Sequence, residues 1–269
     1  ENWKVLVSYI DKHIESPRKE KLLKFYNKHQ DELMLMPASH KRAYHNAFPG
    51  GYVDHVIRVI KGALALNKVW VEFECKQNYS VEELVFSALN HYLGKMGEED
   101  NYSHFPSKDE WRKKNMGEMY QFNKQITYMS VPDRSIKLLV DNGIVPTENE
   151  WLAIKLHDGL YEPSNESYLK SYMPELKPRT SLVYIIHQAD LMAARIEFEK
   201  EWLDEFEEWG KNKEPVKKNF KVNNPSTKTK ALGSIKSEGL KDLFDNLTGN
   251  ILGVKKEEAT PKKKAGSVV

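Results

Sequence analysis

The stretch Phe86-Ser-Ala-Leu-Asn-His-Tyr-Leu-Gly-Lys-Met96 is an apolar segment that carries one histidine, His91, and ends at a Gly-Lys pair. Ser80, followed three residues later by Glu83, forms a capping box ahead of it. We therefore predict a helix with His91 near its C-terminal end. A buried imidazole there needs a polar partner, which must come from elsewhere in the chain.

Two other segments also place a polar side chain within an apolar pattern. In Phe48-Pro-Gly-Gly-Tyr-Val-Asp-His-Val-Ile-Arg-Val-Ile60, His55 lies one turn inside a helix that begins after two glycines. In His187-Gln-Ala-Asp-Leu-Met-Ala-Ala-Arg-Ile-Glu197, Asp190 lies in the middle of a long helix, with His187 three residues earlier on the same face. An aspartate in such a segment costs several kcal/mol unless it is paired or coordinates a cation. These helices therefore predict a shared polar site.

The order of these residues resembles the HD-domain metal-dependent phosphohydrolases, in which a histidine precedes a His-Asp-x-Gly-Lys run and a distant aspartate follows. The resemblance covers roughly residues 38 to 205 and is closest to stand-alone versions from tailed phages, which carry similar Gly-Gly-x-x-Asp-His, Leu-Gly-Lys and His-Gln-Ala-Asp runs. It implies an all-α fold, an HD-domain helical bundle, with His55, His91 and Asp190 as metal ligands. Tyr92 stands where the family has the aspartate of its His-Asp pair.

The resemblance implies a phosphohydrolase that acts on a nucleotide-type phosphoester with one or two divalent metal ions. Imidazoles and carboxylates without thiolates suit Mn, Fe, Co, Ni or Zn, and Mg less well. Lys95, in the family's Gly-Lys position, would neutralise phosphate charge. A phenol with a pKa near 10 is a poor metal ligand, so we expect Tyr92 to impair activity. The alternative is a non-catalytic HD-fold protein that binds a nucleotide or a replication partner.

Further candidates come from helix ends and from the loop at residues 36–51. His157 and Asp158 follow a predicted helix, and His157 is either a catalytic or second-metal group or a histidine that satisfies the last carbonyls of that helix. His187 is a further candidate ligand. The candidates for binding an anionic substrate are basic or polar residues, with a surface connection as the alternative for the loop and an exposed helix-start charge for Arg134: Lys41, Arg42, His45, Asn46, Arg58 and Arg134.

The predicted organisation has three parts. Residues 1–36 form N-terminal packing helices, residues 37–210 form the HD-type domain, and residues 211–269 form a Lys-rich flexible tail. Within the HD-type part we expect a polar loop at 97–111, a short helix capped by Ser107, and helices at 114–129, 131–143 and 179–209. A capping box at Thr147 predicts a further helix. His13 and His29 are expected on solvated faces.

Charge and composition restrict the partners. Residues 1–210 carry 27 basic and 33 acidic residues, whereas the tail carries 14 lysines and 6 acidic residues, so the folded part has no basic surplus for nucleic acid. The tail segment 237–247 has leucines and a phenylalanine spaced like the anchors of a partner-binding helix, with docking on its own protein as the alternative. No membrane span or signal peptide is expected. The single Cys75 and this pattern favour the cytoplasm, that of the host if the chain is phage-encoded.

Overall fold

A computed structural model describes residues 1–99 and 101–200, and within these residues the fold is an all-α bundle. Within these residues the connections between helices contain four turns of 3₁₀ helix, at Leu93–Met96, Gly159–Tyr161, Pro163–Asn165 and Pro174–Leu176. The α-helices are α1 (Asn2–His13), α2 (Arg18–Lys28), α3 (Gln30–Leu35), α4 (Gly51–Glu72), α5 (Val81–Asn90), α6 (Glu110–Met116), α7 (Val131–Asp141), α8 (Glu148–Lys155), α9 (Glu166–Leu169) and α10 (Leu182–Phe198).

Two small antiparallel sheets lie between α5 and α7. Strands β1 (Gly97–Glu98) and β2 (Asn101–Tyr102) form the first, and β3 (His104–Pro106) and β4 (Tyr120–Phe122) form the second. In the second sheet, His104 lies opposite Phe122. The first sheet begins at Gly97, directly after the 3₁₀ turn that follows the end of α5.

Local capping signals start the helices as the sequence predicts. Ser80 Oγ accepts a hydrogen bond from the Glu83 N–H, and the Glu83 carboxylate accepts from the Ser80 N–H, so α5 begins with a full capping box. Thr147 and Glu150 form the same arrangement at α8. These bonds satisfy backbone donors that have no partner within the helix.

The core forms where α10 packs along α4, with α5 against α4, α8 against α10, and α5 and α8 against each other. α4 and α5 present fully buried Tyr52, Ile60 and Phe86 to this core. Burying each large apolar side chain contributes about 1.5–3 kcal/mol. The middle of α4, the end of α5 and the middle of α10 are thereby fixed next to one another.

The sequence interpretation of residues 97–129 is wrong in two places. The N-cap of α6 is Asp109, whose side chain accepts from the Arg112 N–H, rather than Ser107. No helix spans 114–129, because Gly117 adopts a left-handed φ of +62° that ends α6, and the chain then enters β4 to pair with β3. Strands also occupy part of the predicted polar loop.

Two further expectations are corrected by burial. His29 is only 3 % exposed and packs against Phe25, with ring centroids 4.9 Å apart, rather than facing solvent; His13 is partly exposed. The predicted helix 179–209 begins at Leu182 and is described to Phe198, and Glu197 is buried where we expected the helix to leave the core. The predicted tail 211–269 and its segment 237–247 lie outside the described residues.

None of the helices in residues 1–99 and 101–200 has the length and apolarity that a membrane crossing requires.

The buried carboxyl group of Glu150 should make the stability of the bundle depend on pH. Burial raises its pKa from 4.5 to about 7, although Arg18 Nη1 donates to its carboxylate at 2.7 Å. Between these two pH values the folded chain retains a proton that the unfolded chain has released, so the free energy of unfolding should fall as pH rises. We expect Glu150→Gln to remove roughly 3 kcal/mol of this decline in urea titrations.

Glu148→Gln is the matched control, because Glu148 lies on the same helix but is exposed. A pH profile of Glu150→Gln identical to that of the unaltered chain would contradict the assignment.

Candidate metal centre

Three side chains that are distant in sequence converge at the centre of the bundle. His55 comes from α4, His91 follows the last residue of α5, and Asp190 comes from the middle of α10. Asp190 Oδ1 lies 3.1 Å from His55 Nε2 and 3.7 Å from His91 Nε2, and the two Nε2 atoms are 3.4 Å apart. All three residues are buried, and these atoms could together hold a metal ion.

The remaining nitrogen of each imidazole fixes its tautomer. His55 Nδ1 lies 2.9 Å from Glu197 Oε2, and His91 Nδ1 lies 2.7 Å from the Ala88 carbonyl oxygen. Both oxygens only accept, so each neutral ring carries its proton on Nδ1. The two Nε2 lone pairs therefore face Asp190, which is the usual arrangement for histidines that bind metal.

The electrostatics of the centre require a positive charge. Burial alone would raise the pKa of Asp190, but His55 and His91 lower it well below its usual range. Burial would likewise lower the pKa of His55, but Asp190 and Glu197 raise it overall. Burial lowers the pKa of His91 to about 4, so this ring is neutral at pH 7. The Asp190 carboxylate therefore favours a positive charge beside His55 Nε2, which a bound cation would supply.

Tyr92 fills the space between the imidazoles. Its ring is buried and stacks on His55, with centroids 4.6 Å apart, and lies 4.4 Å from the His91 ring and 5.3 Å from the His157 ring. Burial, followed by the charges of Asp190 and Asp158, raises its pKa well above 10. The phenol is therefore neutral and supplies bulk instead of negative charge.

Lys95 covers Tyr92. Its Nζ lies 3.4 Å from the centroid of the Tyr92 ring and also donates to the Ala38 carbonyl. Burial lowers its pKa to about 8, so the ammonium is still mostly charged at pH 7. A cation over an aromatic face is favourable, and this one is available to an anion that approaches the centre.

A second group of potential ligands borders the first. His157, Asp158 and Asp190 place one ligand atom each within 4.8 Å of one another. His157 Nδ1 lies 2.8 Å from the Ile154 carbonyl oxygen, and its buried Nε2 has no hydrogen-bond partner in the described part of the chain. One nitrogen therefore satisfies the helix end, as one of the two interpretations predicted, and a catalytic or second-metal role for the other nitrogen stays a prediction.

His187 supports this second group from behind. Its Nδ1 lies 2.7 Å from the His157 carbonyl oxygen, and it belongs to none of the groups of potential ligands found in residues 1–99 and 101–200. A Cβ on Gly159 would lie 2.3 Å from His187 Cε1, so glycine is needed for this close approach. His187 therefore packs against the backbone of His157 and Gly159, and a role as a metal ligand stays a prediction.

The candidate anion-binding arginines are engaged by protein groups. Arg58 Nη1 donates to Asp54 at 2.9 Å and also contacts Glu197. Arg134 is buried and donates to the Thr127 carbonyl oxygen at 2.5 Å. Both guanidinium groups are thus engaged by protein acceptors, and that of Arg58 by the same Glu197 that contacts His55.

The loop candidates divide into two sets. His45 is buried against the centre, with its ring centroid 4.8 Å from that of His55, and burial lowers its pKa to about 2. Asn46 donates to Asp54 at 3.0 Å and fixes the loop to the start of α4. Lys41 and Arg42 are partly exposed and form backbone contacts with Glu118 and Gly117.

Glu197 is a component of the centre that the sequence interpretation missed. It is 1 % exposed and binds both His55 Nδ1 and Arg58, so it connects α10 to α4. The available signal was its spacing, because Glu197 follows Asp190 by seven residues, which is two helical turns on the same face.

Comparisons with known proteins return no match for this chain among family models, curated proteins or solved structures. The likeness to HD-domain phosphohydrolases therefore stays a prediction from the sequence.

We expect Glu197→Gln to weaken binding of Mn²⁺ or Zn²⁺ by roughly 10–100-fold, because the substitution removes the charge that holds the His55 Nδ1 proton. Isothermal titration of the metal-stripped protein measures this effect. Glu199→Gln, on the exposed side of the same helix end, serves as the control and should bind as the unaltered chain does. Equal affinities for both variants would show that Glu197 does not support the centre.

We expect Gly159→Ala to cost more stability than Gly117→Ala. Both glycines have a left-handed φ, of +56° and +62°, so each substitution should cost roughly 1–2 kcal/mol from the backbone alone. Only at Gly159 would the new methyl group also displace His187. Urea unfolding measures both, and equal losses would contradict the close packing of His187.

Proposed function

We propose that this chain is a metal-dependent phosphohydrolase of the HD type that acts on a nucleotide-type phosphoester, with activity impaired by Tyr92. The observation that carries the proposal is the convergence of His55 Nε2 and His91 Nε2 on Asp190 Oδ1 in a buried centre. Although His55 Nε2 lies 3.1 Å away, no donor in the described residues is aligned for a hydrogen bond with this oxygen. A buried carboxylate oxygen without a donor is costly unless a cation satisfies it.

The residues present fit a divalent cation in part. His55, His91 and Asp190 would hold it, and His157 and Asp158 border the position of a second one. When bound, such an ion polarises a phosphoryl oxygen and lowers the pKa of water towards ~7. The set contains fewer anionic ligands than the family pattern, because the phenol of Tyr92 is neutral.

The chain's own groups supply the remaining steps of phosphoester hydrolysis. The unpartnered His157 Nε2 can accept the proton of the attacking water, while its Nδ1 stays fixed on the Ile154 carbonyl. The Lys95 ammonium can move from the Tyr92 ring to the phosphate oxygens as their charge increases. Glu197 holds His55 in the tautomer that the site needs.

A second candidate function is nucleotide binding without turnover. The stacking of Tyr92 between imidazoles and under Lys95 favours it, because this ring occupies volume that a reacting phosphate would need. In this alternative the scaffold is retained and the centre binds a nucleotide or a replication partner. The tail segment 237–247, proposed for such a partner, lies outside the described residues.

Restoring the carboxylate should separate the two functions. We expect Tyr92→Asp to bind Mn²⁺ or Co²⁺ at least about tenfold more tightly than the unaltered chain, and to hydrolyse a member of a nucleotide panel faster. Metal analysis and phosphate release measure these effects. Tyr92→Asn, which removes the ring without adding charge, tests whether bulk or charge limits activity.

Tyr128→Asp is the surface control, because Tyr128 is 83 % exposed. If Tyr92→Asp neither binds metal nor releases phosphate, the phosphohydrolase proposal fails and the binding function remains.

A further inference from the structure

A separate cavity lies on the side of Lys95 that faces the small sheets. It has a volume of about 460 Å³, which is within the usual range for small-molecule sites. Its wall is largely apolar and includes Met36, Pro37, Met96, Tyr102 and Tyr120. None of the potential metal ligands described above lines it, so it is distinct from the metal centre.

Glu32 gives this apolar cavity a specific polar group. Its Oε1 accepts a hydrogen bond from the Tyr102 hydroxyl at 2.7 Å, and its buried Oε2 has no hydrogen-bond partner among residues 1–99 and 101–200. The bond from Tyr102 is the main cause that lowers the pKa of Glu32, so the carboxylate is ionised at pH 7 and can only accept. Because Glu32 lines the cavity, its ionised carboxylate favours a ligand that carries an N–H donor.

His104 also lines this cavity, and one of its ring nitrogens has no partner among the described residues. Its ring packs edge-on against Phe122, with centroids 5.5 Å apart, and its buried Nδ1 has no hydrogen-bond partner in the described part of the chain. Burial, followed by the charge of Lys95, lowers its pKa to about 4. The imidazole is therefore neutral at pH 7 and can hydrogen-bond a neutral ligand without adding a positive charge.

Lys95 connects the cavity to the metal centre. Its side chain lines the cavity, and its Nζ lies 3.4 Å from the centroid of the Tyr92 ring. A ligand whose ring occupied the cavity would therefore have a cation at the end nearest the imidazoles. The apolar wall is followed by the Lys95 ammonium and then by the candidate metal centre. This order matches a molecule with a ring at one end and phosphate at the other.

We propose that this cavity binds a flat heteroaromatic ring with an exocyclic amine, such as an aminated nucleobase, and that Glu32 selects the amine by accepting its hydrogen bond. The inference rests on the proposed function in that the ring would belong to the nucleotide whose phosphate faces Lys95. It goes further by assigning the ring-binding site and the residue that determines specificity.

Nucleosides test the cavity without involving phosphate or metal. Binding to the full chain in a chelator is measured by isothermal titration for two pairs that differ at the amine: adenosine against purine riboside, and cytidine against uridine. In each pair, the amine-bearing nucleoside should bind about tenfold more tightly. Glu32→Gln should reduce this preference to less than about threefold, whereas Glu175→Gln, at an exposed site, should leave it unchanged.

A second variant tests the cavity by filling it at an exposed position, where the substitution should leave folding intact. Leu35 lines the cavity and is 66 % exposed, so Leu35→Trp should fill the entrance and abolish nucleoside binding without disturbing the core. Leu176→Trp, at another exposed leucine, should bind normally. The proposal is overturned if no nucleoside binds, if the deaminated partners bind equally well, or if Leu35→Trp binds like the unaltered chain.

The two proposals fail separately. Nucleoside binding with the expected preference, together with no phosphate release by Tyr92→Asp, would support the cavity and refute hydrolysis. Phosphate release without nucleoside binding would do the reverse.

Discussion

The structure depends on one constraint, which is the burial of the Asp190 carboxylate among apolar helices. Such a group is tolerated only where positive charge or donors surround it. Three helices meet this requirement by bringing His55, His91 and His157 around it, and each ring turns its Nδ1 away to a fixed acceptor. The apolar packing of α10 along α4 and of α5 against α4 is what brings these rings to the carboxylate.

The parts of the fold that the sequence predicts are those with local causes. The helices after Ser80 and Thr147 begin where their capping boxes lie, because both partners of each bond are three residues apart. The failure at residues 114–129 has a non-local cause. The sequence interpretation placed a helix there, but β4 pairs with β3, more than ten residues earlier, and no local pattern shows that pairing.

The residues of the candidate site likewise include some that local sequence patterns indicate and others that only the tertiary structure reveals. His55, His91 and Asp190 could be proposed because each interrupts an apolar pattern, and the structure places them together. His45 and Glu197 required tertiary information, since their own segments are polar and only the packing of neighbouring helices buries them. The charge of Arg58 suggested a role in substrate binding, yet the buried carboxylate of Glu197 engages it. The sequence thus indicated which side chains are chemically important, but for Arg58 it did not indicate the group that the side chain contacts.

The Lys95 ammonium above the Tyr92 ring has a consequence for how anything reaches the centre. The ammonium is held both by the Tyr92 ring and by the Ala38 carbonyl, and the same aromatic ring also stacks on His55. An anion that attracted the ammonium would therefore weaken a contact that holds the ring beside the imidazoles. A neutral molecule would exert no such attraction.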